Sequence, residues 1–371
     1  MTLTCDKQQL QDALSLAIRA VSTRTTSPIL ECVLLSAQED VGLTLSASNL
    51  EIRIDTSPIP AEIAKEGLVA LDAKLFSEII RKMPGEIISL TADNKNSVQV
   101  KSGRSRLMIN GQSGDEYPVM AEREPINQGY TVKTNVLKEM IRQTIFSVST
   151  DISKPVLMGE LIEIKDSMMR MVAVDMFRIS YKSTPLIDVN EDSKAVVPVK
   201  ALSELSRMLP SDTSDEIKVS LTEKRIIFDY KNFTLTSNLL EGEFIRYDQI
   251  FNEDFLTMVQ VNRLDLLNSL ERAVLVATEN KMVPIFMDIT DDDLIISATS
   301  DLGETEDGIP CKTEGSPILM KFNPRYFIDI LRAVDDEDVI LKFNTKLSPC
   351  TVIGVDEESS FKYLIVPLRQ E

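Results

Sequence analysis

The chain has 371 residues, with 40 Lys and Arg against 58 Asp and Glu, a formal net charge of −18. It contains no His and no Trp, which excludes a His general base, a Ser–His–Asp triad and a His-ligated metal. Its four cysteines are scattered without a C-x-x-C, which points to reduced thiols in a cytoplasmic protein rather than a disulfide frame or zinc site. No apolar run approaches the roughly 18 residues needed to span a membrane. The N-terminal MTLTCDKQQL shows no basic segment followed by an apolar one, so no secretory signal is expected.

In chain order, a short strand precedes a helix over about Lys7–Ala20, with Leu10, Ala13, Leu14, Ala17 and Ile18 at helical spacing. Pro28 leads into a strand Ile29–Ser36, and Leu43–Ile54 reads as one strand. Leu68–Leu71 feeds a helix over Asp72–Met83, stopped by Pro84 and Gly85. Strands Ile87–Thr91, Ser97–Lys101 and Ser105–Ile109 follow, and Gln112–Pro125 reads as a linker. The same order then returns. Strand Tyr130–Lys133, helix Thr134–Thr144, strands Leu157–Lys165 and Met168–Lys182, helix Pro198–Leu209 and strands Ile217–Leu221, Arg225–Tyr230 and Phe233–Asn238 lead to a second linker, Glu241–Asp254. It returns again as Leu256–Val261, helix Asn262–Leu275, Ile285–Ile289, Leu294–Thr299, an acidic loop through Asp307, Ile318–Phe322, helix Asn323–Val334, Val339–Phe343, Cys350–Val355 and Phe361–Val366.

Two landmarks set the period. The helices DAKLFSEIIRKMP, PVKALSELSRMLP and NPRYFIDILRAVD align Glu78, Glu204 and Asp329, and also Arg81, Arg207 and Arg332, at offsets of 126 and 125. The strands around Ala47, Ala173 and Ala298 repeat at the same offsets. Unrelated helix-plus-strand domains would share no offset, so the chain is read as a threefold repeat of an α+β unit. The expected domains are 1–125, 126–251 and 252–371, each of ordinary domain size.

Charge is unevenly placed. The six helices carry 13 Lys and Arg against 8 Asp and Glu, leaving 27 against 50 elsewhere. A shared helical face would be locally basic on an acidic body and suited to phosphate through residues such as Lys7, Lys74, Arg81, Lys138, Arg142, Lys200, Arg207, Arg325 and Arg332. An arginine in a last helical turn also complements the helix dipole, which is the structural alternative for Arg81, Arg207 and Arg332. No base-reading helix motif or aromatic stacking cluster is present, so any such contact is expected to ignore base sequence.

Several short stretches together carry a family resemblance: Ser27-Pro28-Ile29-Leu30, Val100-Lys101-Ser102-Gly103-Arg104-Ser105-Arg106, Val172-Ala173-Val174-Asp175 ending in Arg178, Leu239-Leu240-Glu241-Gly242-Glu243-Phe244, Phe322-Asn323-Pro324-Arg325-Tyr326 and Val366-Pro367-Leu368-Arg369. Over its full length the chain resembles the beta sliding clamps, the beta subunits of bacterial DNA polymerase III. The resemblance implies three clamp-type domains and a head-to-tail homodimer, a six-domain ring with helices inside and sheets outside. Such a ring encircles duplex DNA and confers processivity on the replicative polymerase, with a clamp loader and repair proteins as further partners that bind through short peptides. No catalysis, cofactor or metal is implied. Acid pairs such as Asp291–Asp293 and Glu304–Asp307 stand without a phosphate-binding glycine motif, so an enzyme is not the expected reading.

The resemblance also implies sites. DNA contacts fall on Arg24, Lys74, Arg81, Lys154, Lys200 and Arg207. The partner-peptide pocket falls on Leu157, Val174, Met176, Arg178, Ile179, Ile245 and Met282, and on Asn323, Tyr326, Pro349, Val366, Pro367, Leu368 and Arg369. The dimer seam joins Arg104, Arg106, Leu107 and Ile109 to Leu275, Val276, Glu304, Glu306 and Asp307. The chain departs from the family pattern where Met176-Phe177 replaces the usual Gly-His, where Gln370-Glu371 extends past Arg369, and where Pro155 and Val156 stand in place of DNA-contacting aromatics. These departures leave a second expectation, a divergent clamp paralogue serving as a protein-binding scaffold without a replicative role.

Overall fold

A computed structural model describes residues 1–22, 25–118, 128–187, 191–251, 255–276, 283–356 and 360–369. The first repeat runs β1 Thr2–Asp6, α1 Lys7–Ala17, β2 Cys32–Gln38, β3 Gly42–Ser48, β4 Ile52–Thr56, β5 Ala61–Lys65, β6 Gly67–Asp72, α2 Ala73–Lys82, β7 Ile87–Ala92, β8 Ser97–Ser102, β9 Ser105–Asn110 and β10 Gln112–Ser113. The second runs β11 Gln128–Lys133, α3 Thr134–Thr144, β12 Gly159–Lys165, β13 Met168–Val174, β14 Arg178–Pro185, β15 Ser193–Pro198, α4 Val199–Met208, β16 Glu216–Leu221, β17 Arg225–Tyr230 and β18 Phe233–Asn238. The third runs β19 Thr257–Asn262, α5 Arg263–Leu275, β20 Ile285–Ile289, β21 Asp293–Ser300, β22 Gly303–Gly315, β23 Ile318–Phe322, α6 Pro324–Ala333, β24 Asp338–Phe343, β25 Cys350–Gly354 and β26 Phe361–Ile365.

The helices start where the sequence places caps. Asp6, Asp72, Asn262 and Asn323 each accept a hydrogen bond from a backbone N–H of the turn that follows, which satisfies one of the orphan donors of a helix start. Their apolar faces then bury: Leu10, Leu14 and Ala17 on α1, Phe76 and Ile80 on α2, Leu202 and Leu205 on α4, and Phe327, Ile330 and Leu331 on α6. Each repeat closes with the same stitch. The first residue of the first helix bonds to the segment after the second helix through its N–H: Lys7 to Glu86 O, Thr134 to Asp215 O and Arg263 to Glu337 O. The side chains add a second bond, from Lys7 Nζ to Met83 O, Thr134 Oγ1 to Thr213 O and Arg263 NH1 to Leu331 O. Lys7 therefore caps α2 and is not directed at a phosphate.

The structure divides four predicted strands. Leu43–Ile54 is the hairpin β3–β4, and Met168–Lys182 is the hairpin β13–β14. Ile29–Glu31 and Pro155–Met158 are single 3₁₀ turns, because a proline opens each and removes a ladder donor. The acidic loop through Asp307 is instead the first half of the long strand β22. Its alternating side chains pair with β21 from Asp293↔Pro310 to Ser300↔Gly303.

The chain forms two compact units, Met1–Asn135 with Arg207–Leu239, and Val136–Ser206 with Leu240–Glu371. The first holds a five-stranded sheet, β5-β1-β7-β8-β9, and a nine-stranded sheet, β10-β6-β2-β3-β4-β18-β17-β16-β11. The second holds a twelve-stranded sheet, β15-β12-β13-β14-β26-β25-β24-β19-β22-β21-β20-β23. Repeats thus join through their sheets: β4 pairs with β18, the last strand of the next repeat, and β14 pairs with β26 in the same way. Helices α1 and α2 pack together in the first unit, and α5 and α6 in the second.

Candidate functional site

Within the second unit, the turn between β13 and β14 places Arg178 at the centre of a polar and aromatic cluster. Asp175 shapes the turn: its Oδ1 accepts from the N–H groups of Phe177 at 2.8 Å and Arg178 at 3.0 Å. Its other oxygen takes Arg178 Nε at 3.0 Å. Arg178 NH1 donates to Asp329 Oδ2 on α6 at 2.6 Å, and NH2 donates to the carbonyl of Phe146. The guanidinium lies over the rings of Tyr326, at 4.8 Å, and Phe146, at 5.5 Å. Phe177 stacks on Tyr326 at 6.1 Å and 19°. The result is a column that ends on the exposed Phe177, Phe146–Arg178–Tyr326–Phe177. A cation held between rings and carboxylates is stabilised by both. Burial first, then the charge of Asp175, push the Tyr326 phenol up.

This column ties the second repeat to α6 of the third, and the chain end lies beside it. Val366 N–H donates to Phe177 O, and Leu368 N–H donates to Lys321 O, each at 2.8 Å. The exposed apolar surface here is Met176, 65 % accessible, with Phe177 and Val366. Tyr326, Pro349, Pro367 and Leu368 are half-buried, Arg369 is exposed, and Asn323 caps α6. Four residues expected in the pocket sit deeper. Leu157, Val174 and Ile179 are core, packed with Leu161, Val172, Val196, Tyr247 and Leu364, and Ile245 packs at the edge of that cluster. They belong to the apolar core rather than to the exposed surface. Met282, Arg24 and the Gln370-Glu371 tail lie outside the described residues. The residues missed from the sequence are Phe146 and Asp329. The alignment of Asp329 with Glu78 was a signal for it, but not for its partner.

The helical cations are exposed but engaged. Arg81 pairs with Glu78 at 2.6 Å, Arg142 with Asp335, and Arg332 with Glu271 at 2.7 Å. Lys74, Lys154 and Lys200 are exposed, as is Arg207. In the first unit, Gly103 at φ 56° turns the chain from β8 into β9, a conformation with little penalty for glycine alone. The turn exposes Arg104, Arg106, Leu107 and Met108, while Ile109 is buried in its own sheet. In the second unit Leu275 is 79 % accessible, and Val276 packs against the core of its own repeat. Glu304 and Glu306 are exposed on β22, whereas Asp307 accepts from Arg272 at 2.8 Å and Ser269 at 3.2 Å on α5.

Comparison with known proteins covers the whole chain. Family models described as the N-terminal, central and C-terminal domains of the DNA polymerase III beta subunit match residues 1–121, 131–245 and 248–369. The protein named beta sliding clamp of Bacillus subtilis is 30% identical over 382 residues, covering 100% of both chains. That of Halalkalibacterium halodurans is 31% identical over 366 residues, 95% of each. Among solved structures, the DNA polymerase sliding clamp of Bacillus subtilis matches with a TM-score of 0.95 at 27% identity, and the DNA polymerase beta subunit of Streptococcus pyogenes with 0.94 at 29%, each over 100% of both chains.

Proposed function

Since this chain belongs to the beta sliding clamp family, the beta subunits of bacterial DNA polymerase III, we propose that two copies close head to tail around duplex DNA and tether the polymerase to it. The protein is a non-catalytic processivity factor, so what needs explanation is closure, retention and docking.

The observation that carries closure is a mismatch in the repeat. β4 and β14 each pair with the last strand of the next repeat. The corresponding strand of the third repeat is the first half of β22, and among the described residues nothing pairs along its other edge. The first-repeat strand equivalent to β18 and β26 is β9, and among the described residues it has only β8 beside it. Each chain therefore has one unfilled edge of each kind, and a second copy supplies both complements. Open edges are templates for pairing, and a heterologous contact that closes after two copies makes a ring.

Repetition also supplies the register. Leu107, Leu235 and Tyr363 hold equivalent places, opposite Val100, Phe228 and Val352. Ile54 pairs with Leu235 and Ser180 with Tyr363. Carrying this forward sets Thr305 opposite Leu107 of the second copy, and Glu306 opposite its Arg106. Opposite charges directly across a ladder are favourable. Inside such a ring, helix cations meet phosphates without reading bases, so the ring is held by topology and slides. Partner peptides of polymerases, a clamp loader and repair proteins dock at Met176, Phe177, Tyr326, Val366 and Pro367, and the cytoplasm is where the protein works.

Light scattering across a dilution series tests closure. The expected species has twice the 41.5 kDa chain mass, about 83 kDa. The double variant Arg106→Cys/Glu306→Cys should form an intermolecular disulfide. A monomer persisting at micromolar concentration, or cross-linking only at off-register pairs, would refute this seam.

A further inference from the structure

Three of the helix arginines that a phosphate would meet are already paired. Arg81 on α2 holds Glu78 of the same helix, three residues away, at 2.6 Å, with both side chains more than half exposed. The Arg81 hydrogen bond holds the Glu78 carboxyl below its ordinary value. Arg332 on α6 reaches instead to Glu271 on α5, at 2.7 Å, through both Nε and NH2. Arg142 on α3 reaches Asp335, just past the end of α6, with two nitrogens on two oxygens. The partner of Arg332 differs from that of Arg81 for a visible reason. Asp329, the repeat equivalent of Glu78, is taken by Arg178, and the third repeat supplies a different acid from a different helix. Arg332 is thus paired although the equivalent acid is engaged elsewhere, and all three arginine side chains remain 41–63 % accessible.

We propose that Glu78, Glu271 and Asp335 act as internal stand-ins for phosphate, so that each arginine exchanges between a carboxylate of its own chain and a passing DNA phosphate. This inference rests on the reading that these helices face duplex DNA. Exposed ion pairs of this kind are weak, so the acid yields readily to a phosphate and recaptures the arginine when the phosphate moves on. Moving the ring by one phosphate then swaps one charge-assisted pair for another instead of stripping a bare cation. An arginine already neutralised by a carboxylate also changes the salt dependence. The acid, displaced on binding, offsets part of the counterion release that makes phosphate contacts salt-sensitive.

The test uses the full-length protein and a short fluorescent duplex that threads a closed ring without a loader, titrated over a potassium chloride series. The triple variant Glu78→Gln/Glu271→Gln/Asp335→Asn should bind more tightly than wild type, with log affinity falling more steeply against log salt, by up to roughly three in slope for three unmasked arginines. On end-blocked duplex it should diffuse more slowly. Glu78→Gln alone breaks only a pair within one helix, and should show about a third of the slope change if the triple variant is poorly folded. If acid variants match wild type in affinity, slope and diffusion while Arg81→Ala/Arg142→Ala/Arg332→Ala weakens binding, the stand-in role is wrong and the DNA reading survives. If the arginine variant also leaves binding unchanged, these helices do not face DNA and both readings fall.

Discussion

The turns β3–β4 and β13–β14 stand 126 residues apart and share one backbone device. Asn49 Oδ1 accepts from Glu51 N–H and Ile52 N–H, as Asp175 Oδ1 accepts from Phe177 N–H and Arg178 N–H. Each turn also closes with a backbone bond, Asn49 N–H to Ile52 O and Asp175 N–H to Arg178 O. The residue that ends the turn separates them. Ile52 is fully buried, whereas Arg178 reaches to Asp329 on another repeat's helix. A second position diverges alike. Val33 on β2 and Glu160 on β12 hold matching places, opposite Leu71 and Val197, and both are fully buried. Duplication preserved the ladder. Where the first repeat carries two apolar side chains the second carries two ionisable ones, and one of them organises the candidate site.

The largest expected consequence lies at Glu160. Burial pushes its carboxyl up from 4.5 to about 8, and the bond to Thr144 Oγ1 offsets only part of this. With the folded value raised, the folded state binds more protons than the unfolded one between those limits, so stability falls as pH rises from 4.5 through about 8 and levels off above. The loss is as much as roughly 5 kcal/mol. Denaturant midpoints from pH 5.5 to 9 should fall for wild type and stay nearly flat for Glu160→Gln. A parallel fall in both would show that the valine-to-glutamate exchange carries no proton linkage.

Next is Arg178→Ala. Arg178 is 12 % accessible and pairs with two acids, and leaving buried charges unpaired costs about 3 kcal/mol. A denaturant titration should show that loss, and binding of a partner peptide should weaken at least tenfold as Tyr326 and Phe177 lose their support. Unchanged peptide affinity would confine Arg178 to holding the repeats together.

The smallest effect sharpens the comparison most directly. Asp175→Asn gives the second turn the chemistry of the first, keeping the amide-oxygen acceptor for two N–H groups while dropping the charge toward Arg178. A cost of about 1 kcal/mol is expected, with the turn intact by amide hydrogen exchange. A collapse of several times that size would mean that Asp175 serves the ion pair before the turn.

Much of this architecture was legible in advance, for a local reason. Helix caps and apolar spacing lie within a few turns of chain, so α3 matches its expected span Thr134–Thr144 and α2 starts after its cap Asp72. The hairpin turns were not legible, because Asn49-Leu50-Glu51 and Asp175-Met176-Phe177 carry neither glycine nor proline. Leu50 even adopts φ 75°, a conformation unusual for such a side chain. The acidic stretch through Asp307 read as a loop because charge on an open strand edge resembles charge in a turn.

Repetition, helix positions and the uneven placement of charge follow from the order of residues, since each depends on neighbours along the chain. Which acid holds which arginine, which expected pocket residues lie in the core, and which strands of the repeat pattern lack their partner are set by pairings between residues far apart. Asp329 illustrates the division. Its place in the repeat is written in the spacing, yet its partner is Arg178, 151 residues away, while Arg332 on its own helix pairs with Glu271.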